Sequence, residues 1–148
     1  YTISAEVFGV PEKMDPLATE GKAGVTKAFQ DVTAVVDSAG VCSFATFAWT
    51  IEDVQKQLNA DLDGDWGLER LLEAGERIWN LERQFNLAAG LTAADDTLPE
   101  RLLKDAAKSG PGEGHVCELP KMLPEYYELR GWTPDGVPTN ATLDRLAL

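Results

Sequence analysis

An acid, a glycine and a thiol stand at close spacing in Asp37-Ser38-Ala39-Gly40-Val41-Cys42, at the point where a helical pattern gives out. A carboxylate such as Asp37 accepts hydrogen bonds from the amino and ring N–H groups of a heterocycle such as a pterin. Gly40 lets backbone approach a ligand closely, and Cys42, as thiolate, is an iron ligand. A four-iron cluster takes four thiolates, so Cys42 alone could not hold one, and the other three would have to come from elsewhere. The same residue types also fit a site without any ligand, in which Gly40 ends a helix and a buried cysteine follows it. On the residues alone both readings stand.

Three other places have residue types that do chemistry, and each falls short of a site. Asp61, Asp63 and Asp65 resemble a calcium loop. Counting from Asp61, however, Trp66 stands where the loop needs glycine and Leu72 where it needs a bidentate glutamate. Counting from Asn59 places Gly64 correctly but brings Arg70 to the last ligand position. A solvated acidic turn is expected there. His115 and Cys117 lie two apart in a loop, but a structural zinc site wants four ligands and no further His or Cys pair is near. Glu82 and Arg83 follow Trp79 in a helical run, where charged residues are expected on a solvated face and aromatic ones in the core. No Ser/His/Asp triad and no phosphate-binding glycine loop can be assembled, so catalysis by these residues alone is not expected.

The elements that must position these groups read as helices. Residues 22–38 carry Val25, Phe29, Val32 and Val36, flanked by Ala28 and Val35, at helical spacing, with Gly40 as the stop. The apolar, aromatic segment Phe44 to Trp49 is expected to be buried. Thr50 with Asp53 has the form of a capping box and opens a helix to about residue 60. The longest helix spans about residues 66–89, with Leu68, Leu71, Leu72, Ile78, Trp79 and Phe85 as its core stripe, Glu73–Arg77 as an exposed pair and Gly90 as its end. A weaker helix is expected over residues 95–108, with Pro99 near its first turn. Residues 109–114 are a Gly/Pro loop. Residues 119–129 are helical and end at Gly131, and Pro124 either kinks that helix or begins it. A turn over 133–138 and a short helix over 143–148 finish the chain. Residues 1–20, with Gly9, Pro11 and Pro16, read as an irregular lead-in. No strand pairs, internal repeats or low-complexity tracts stand out. The expected fold class is all-α, one irregular helical domain over residues 1–148.

Charge narrows the partners. Of 148 residues, 13 are Lys or Arg and 25 Asp or Glu, a formal net charge of −12. Such a balance disfavours nucleic acid and anionic membrane surfaces, which are polyanions. No apolar run reaches the length of about 20 residues that a membrane helix needs. Nothing in the sequence points to secretion, so Cys42 and Cys117 are expected to be reduced thiols of a cytoplasmic protein. The Asn140-Ala141-Thr142 sequon then reads as the start of a helix. A chain that opens on Tyr1, without an initiator Met, is expected to be a processed chain or a piece of a longer one.

Asp37-x-x-Gly40-x-Cys42 resembles the second pterin and cluster motif of the aldehyde:ferredoxin oxidoreductase family. The similarity continues in the family's order along the chain. Val10 to Pro16 and Glu20-Gly21-Lys22 resemble the approach to that motif. Gly75-Glu76-Arg77-Ile78-Trp79-Asn80-Leu81-Glu82-Arg83, with Phe85-Asn86, is similar to a family helix. Asp95 to Arg101, Tyr126 to Trp132 and Leu143 to Leu148 resemble its later signatures. A Pro at position 124, within the Tyr126-Tyr127 helix, is less usual for the family. The ordered set is more specific than the six-residue motif.

The resemblance implies an enzyme that oxidises aldehydes to carboxylic acids and passes the electrons to ferredoxin. Its cofactors would be tungsten, or molybdenum, held by two pterin dithiolenes, and a 4Fe–4S cluster. Carried over by position, Cys42 would be the last cluster thiolate and Asp37 a pterin ligand, with the backbone at Gly40 and Val41 lining the pterin. The family's other cluster cysteines, its first pterin motif and its catalytic Glu would lie upstream, and its active-site His just before Tyr1. The chain would therefore be roughly the last quarter of such an enzyme. No cofactor and no activity are expected of it without the upstream domains. A related enzyme acting on another acid or aldehyde, including those that reduce activated aromatic acids, is an alternative within the same chemistry. A stand-alone helical interaction module is the alternative of another class.

Overall fold

A computed structural model describes residues 15–148. The lead-in expected over 1–20, and with it the stretch Val10 to Pro16, lies mostly outside the described residues. Residues 15–20 form a turn in which the Asp15 carboxylate accepts from the Leu17 amide at 2.9 Å.

The described chain folds into six α-helices: α1 (Lys22–Ser38), α2 (Ile51–Asp61), α3 (Leu68–Ala88), α4 (Glu100–Lys104), α5 (Leu119–Arg130) and α6 (Asn140–Leu146). Short 3-10 turns span Ser43–Phe47 and Ala93–Asp95. Among the described residues there is no strand, only the isolated bridges Ala107–Glu113 and Trp132–Pro138. The fold is all-α.

Local chemistry accounts for most of the boundaries. α1 ends where Gly40 takes φ +71°, a conformation costly for any residue with a Cβ. α2 begins at its capping box, in which the Asp53 carboxylate accepts from the Thr50 amide at 3.1 Å. α5 runs unbroken through Pro124, whose missing N–H would have reached back only to Pro120 in the first turn. α6 starts at the sequon, capped by Thr139, whose hydroxyl accepts from the Thr142 amide.

The helix expected over residues 95–108 shrinks to the five residues of α4. Before it, the Asp95 carboxylate accepts from the Thr92 amide at 2.7 Å and winds a 3-10 turn instead. After it, the chain folds back so that the Ala107 amide donates to the His115 carbonyl at 3.0 Å.

One core is apolar. Val32, Val35 and Val36 of α1 meet Ile51 and Val54 of α2 and Leu71 of α3, with Val41, Leu58 and Trp66 packed at its edge. Each such side chain taken from water contributes about 1.5–3 kcal/mol before entropy is charged against it. Further along, α1 and α3 approach so closely that a Cβ built on Gly75 would sit 2.1 Å from the Asp31 carbonyl oxygen.

Beyond that crossing the core turns polar. Arg130 of α5 is fully buried and donates to the carboxylate of Asp31, to Gln30 Oε1 at 2.6 Å and to Tyr126 Oη at 3.1 Å. Its guanidinium also lies 5.5 Å from the centre of the Trp79 ring, and Trp79 Nε1 donates to the Gln30 carbonyl at 2.8 Å. Asn80, equally buried, accepts from Trp132 Nε1 at 2.8 Å and donates to the Glu76 carbonyl at 2.9 Å. These contacts bind α1, α3 and α5 by directional bonds where apolar side chains run out.

Several expectations about faces are overturned here. Phe29 and Phe85, expected in the core, are exposed, because α1 and α3 turn Asp31, Gly75, Asn80 and Arg83 inward. Arg83 is buried rather than solvated. Arg77 does not form the exposed pair with Glu73 but donates to the Leu146 carbonyl at 2.8 Å, tying α3 to α6. Phe44 to Trp49, expected to be buried, is the most exposed aromatic segment among the described residues: Phe44 is 78% and Phe47 67% accessible.

Candidate functional site

The break after α1 is a tightly bonded turn. Ala39 donates to the Val35 carbonyl at 2.9 Å, Gly40 to Asp37 at 3.1 Å and Val41 to Val36 at 3.3 Å, which satisfies the carbonyls that a helix end leaves open. Val41 is half-buried and anchors the turn in the apolar core. Cys42 then leaves in extended conformation (φ −61°, ψ 123°) and caps the next turn, its carbonyl accepting from Ala45 at 2.9 Å. Asp37, Gly40 and Cys42 are all exposed. Gly40 thus ends the helix as expected, while the cysteine that follows it is exposed and not buried.

The donor set fits the cofactors the motif implies. Cys42 is a free, accessible thiol, with Cys117 also free and half-buried. The space in front of Gly40 is open, with nothing within 4 Å of where a Cβ would stand. A soft sulfur donor suits iron, and an accessible carboxylate beside open backbone suits the N–H edge of a pterin.

The other candidate residues are held for structural ends. Asn59 clamps the acidic turn from one side, accepting from the Trp66 amide at 2.8 Å, and Arg70 lies 4.0 Å over the Trp66 ring. Asp61, Asp63 and Asp65 stay exposed along that turn, and no cluster of three or more metal-competent side chains occurs among the described residues. His115 is exposed in its loop, while the Cys117 amide donates to the Leu102 carbonyl at 2.8 Å.

A second constellation escaped the sequence reading. Arg83 grips Asp96 with both terminal nitrogens, at 2.8 and 2.7 Å, and donates through Nε to the Gly136 carbonyl at 2.8 Å. Tyr127 donates its phenol proton to the same carboxylate. Above this group opens a cavity of about 430 Å³ lined by Gln30, Trp79, Met122, Leu123, Tyr126 and Trp132. The only hint in the sequence is that Arg83, Asp96 and Tyr127 fall within the helix and the later signatures that carry the family resemblance.

Burial, reinforced by the Asp96 carboxylate that accepts its proton, pushes the Tyr127 phenol up to about 12. The folded chain thus holds this proton more tightly than an ordinary tyrosine, which titrates near 10. Its contribution to stability is complete below about pH 10 and is lost as pH rises through about 12. Rapid-mixing absorbance titration of tyrosinate should show one late phase near pH 12 that Tyr127→Phe removes. Ionisation of Tyr127 at the ordinary value near 10 would contradict the Asp96 contact.

The family model for aldehyde ferredoxin oxidoreductase, domains 2 and 3, matches residues 1–148. The tungsten-containing aldehyde ferredoxin oxidoreductase of Pyrococcus furiosus is 49% identical over 150 residues, covering 100% of this chain and 25% of that protein. That of Thermococcus kodakarensis is 50% identical over 138 residues, covering 92% of this chain and 23% of that protein. Among solved structures, the active site complex BamBC of benzoyl coenzyme A reductase, in complex with 1,5-dienoyl-CoA, shares the fold. Its TM-score is 0.71 at 23% identity, over 94% of this chain and 21% of that one. The chain thus spans about a quarter of the length of the curated relatives it matches. No helix among the described residues is long and apolar enough to cross a membrane. By the match along its whole length and by the identity to these relatives, the chain belongs to the aldehyde ferredoxin oxidoreductase family.

Proposed function

We propose that residues 1–148 form one helical domain of a tungsten enzyme that oxidises aldehydes to carboxylic acids, working in the cytoplasm with the upstream domains of the same polypeptide and with ferredoxin. The observation that carries this reading is the exposed, hydrogen-bonded turn that holds Asp37 and Cys42 at the end of α1 in a member of this family. When bound, the tungsten bis-pterin centre supplies the oxidation chemistry and a 4Fe–4S cluster carries the electrons towards ferredoxin.

The work of this chain is to present ligands. Cys42 gives one thiolate to the cluster, and the remaining three come from upstream sequence. Asp37 accepts hydrogen bonds from the N–H edge of a pterin, and Gly40 and Val41 line it with backbone. The anchor at Val41 and the three backbone bonds of the turn set where the thiolate points before any iron arrives. Aldehydes are favoured over activated aromatic acids as substrates by the 49% identity to aldehyde oxidoreductases, against 23% to the benzoyl coenzyme A reductase complex.

The full-length enzyme with Cys42→Ala tests the assignment. Losing only a hydrogen-bond partner of a metal ligand commonly costs 10–100-fold, so losing the ligand is expected to cost ferredoxin-linked aldehyde oxidation about 100-fold or more. Iron per subunit should fall while far-ultraviolet circular dichroism stays unchanged. Undiminished cluster iron in that variant would defeat the role given to Cys42.

A further inference from the structure

We propose that Phe44, stacked on Phe47 beside the Cys42 turn, is a contact over which the upstream part of the same enzyme closes. This rests on the reading of Cys42 as a cluster ligand and goes beyond it, by assigning the surface next to the ligand.

Residues 38–51 carry no charged side chain, in a chain of which 26% is charged. Within that run Phe44 and Phe47 stack with ring centres 6.1 Å apart and planes 20° apart, 78% and 67% exposed, with Trp49 38% exposed beside them. Single apolar residues on a surface are ordinary, whereas a contiguous aromatic cluster without charge has the make-up of an interface core. The turn that carries it is braced. Thr46 Oγ1 donates to the Ser43 carbonyl at 2.6 Å, and the Ala48 and Trp49 amides donate to the Ala45 carbonyl at 3.0 and 2.9 Å. The Phe44 ring is therefore exposed on a formed turn.

Ligand arithmetic names the occupant. A cluster bound by Cys42 needs three more thiolates, so the body that bears them has to reach the Cys42 sulfur. Phe44 lies two residues further on, no more than about 7 Å away along the chain. A body large enough to present three cysteines at Cys42 therefore comes within reach of Phe44. The relatives, four times as long as the matched region, have the length for such a body in the same polypeptide.

Hydroxyl-radical labelling of the full-length enzyme tests the contact, comparing the rate at Phe44 in the native protein with that in the same protein unfolded in urea. A fall from 78% exposure to interface-core burial is about a ten-fold loss of reachable ring, so protection of about ten-fold is expected, independent of dilution and of added ferredoxin. Labelling of Phe44 at the unfolded rate would overturn the proposal. So would protection that vanishes on dilution, which assigns the face to a second copy, or protection that needs ferredoxin, which assigns it to the electron acceptor. Cluster iron in Cys42→Ala, measured in parallel, separates the two claims. Iron lost while Phe44 labels freely sinks the contact alone, and iron retained sinks the ligand reading whatever Phe44 does.

Discussion

Gly75→Ala is expected to destabilise the chain by about 3 kcal/mol or more and to lower Tm by roughly 10 °C. The added methyl would sit 2.1 Å from the Asp31 carbonyl oxygen, 2.7 Å from its carbon and 2.9 Å from its Cα. All three are backbone atoms in the middle of a helix, so no side chain can rotate away to make room. Either α1 and α3 separate, which opens the contacts around Val32 and Leu71, or one helix deforms at the crossing. Gly24→Ala is the matched control, because a methyl there meets only Leu129 Cδ1 at an ordinary 3.9 Å. Within a helix that change should stabilise by about 0.5–1 kcal/mol. Urea unfolding followed by circular dichroism should therefore move in opposite directions for two chemically identical substitutions. Equal shifts would contradict the close crossing.

Arg130→Ala is expected to cost about 3–5 kcal/mol, because it strands the carboxylate of Asp31, 4% exposed, without its buried cation. Gln30 Oε1 would lose one of its two donors and keep Tyr126, whose hydroxyl reaches it at 2.7 Å. Lys27 still reaches Asp31 at 2.8 Å from the rim of the site, but shares its charge with Glu76 at 3.6 Å. The double variant Asp31→Leu with Arg130→Met keeps the volume and removes both charges, and should recover most of the loss. A double variant no more stable than Arg130→Ala would show that the guanidinium's stacking against Trp79 and Tyr126 matters more than its charge.

Much of this architecture was legible in the residues. The span of α1, the capping box at Thr50, the stops at Gly40 and Gly131 and the helix start at Asn140 all follow from chemistry within a few residues, which a single sequence displays. The polar core does not. Arg130 meets Asp31 from 99 positions away, and Arg83 takes its bonds from Asp96 and Gly136, 13 and 53 positions on. Helical periodicity treats a charged residue as a mark of the solvated face, and nothing local contradicts it for these two.

Phe44 and Phe85 failed the other way. Both fit the apolar pattern of a core, and both are exposed. Asp37-x-x-Gly40-x-Cys42 was legible as a motif, and its exposure was not. Residue types favoured a cysteine buried behind a helix-ending glycine, and the course of the chain after Val41 instead leaves Cys42 exposed.

The tight crossing of α1 over Gly75 also acts as a fulcrum. From Asp31 to the end of α1 is a rigid arm of about 10 Å, with the thiol just beyond its tip. A tilt of about 5° at the pivot would swing that tip by about 1 Å, a displacement on the scale that costs an active site about 100-fold. A glycine remote from Cys42 therefore governs the direction in which that thiol points.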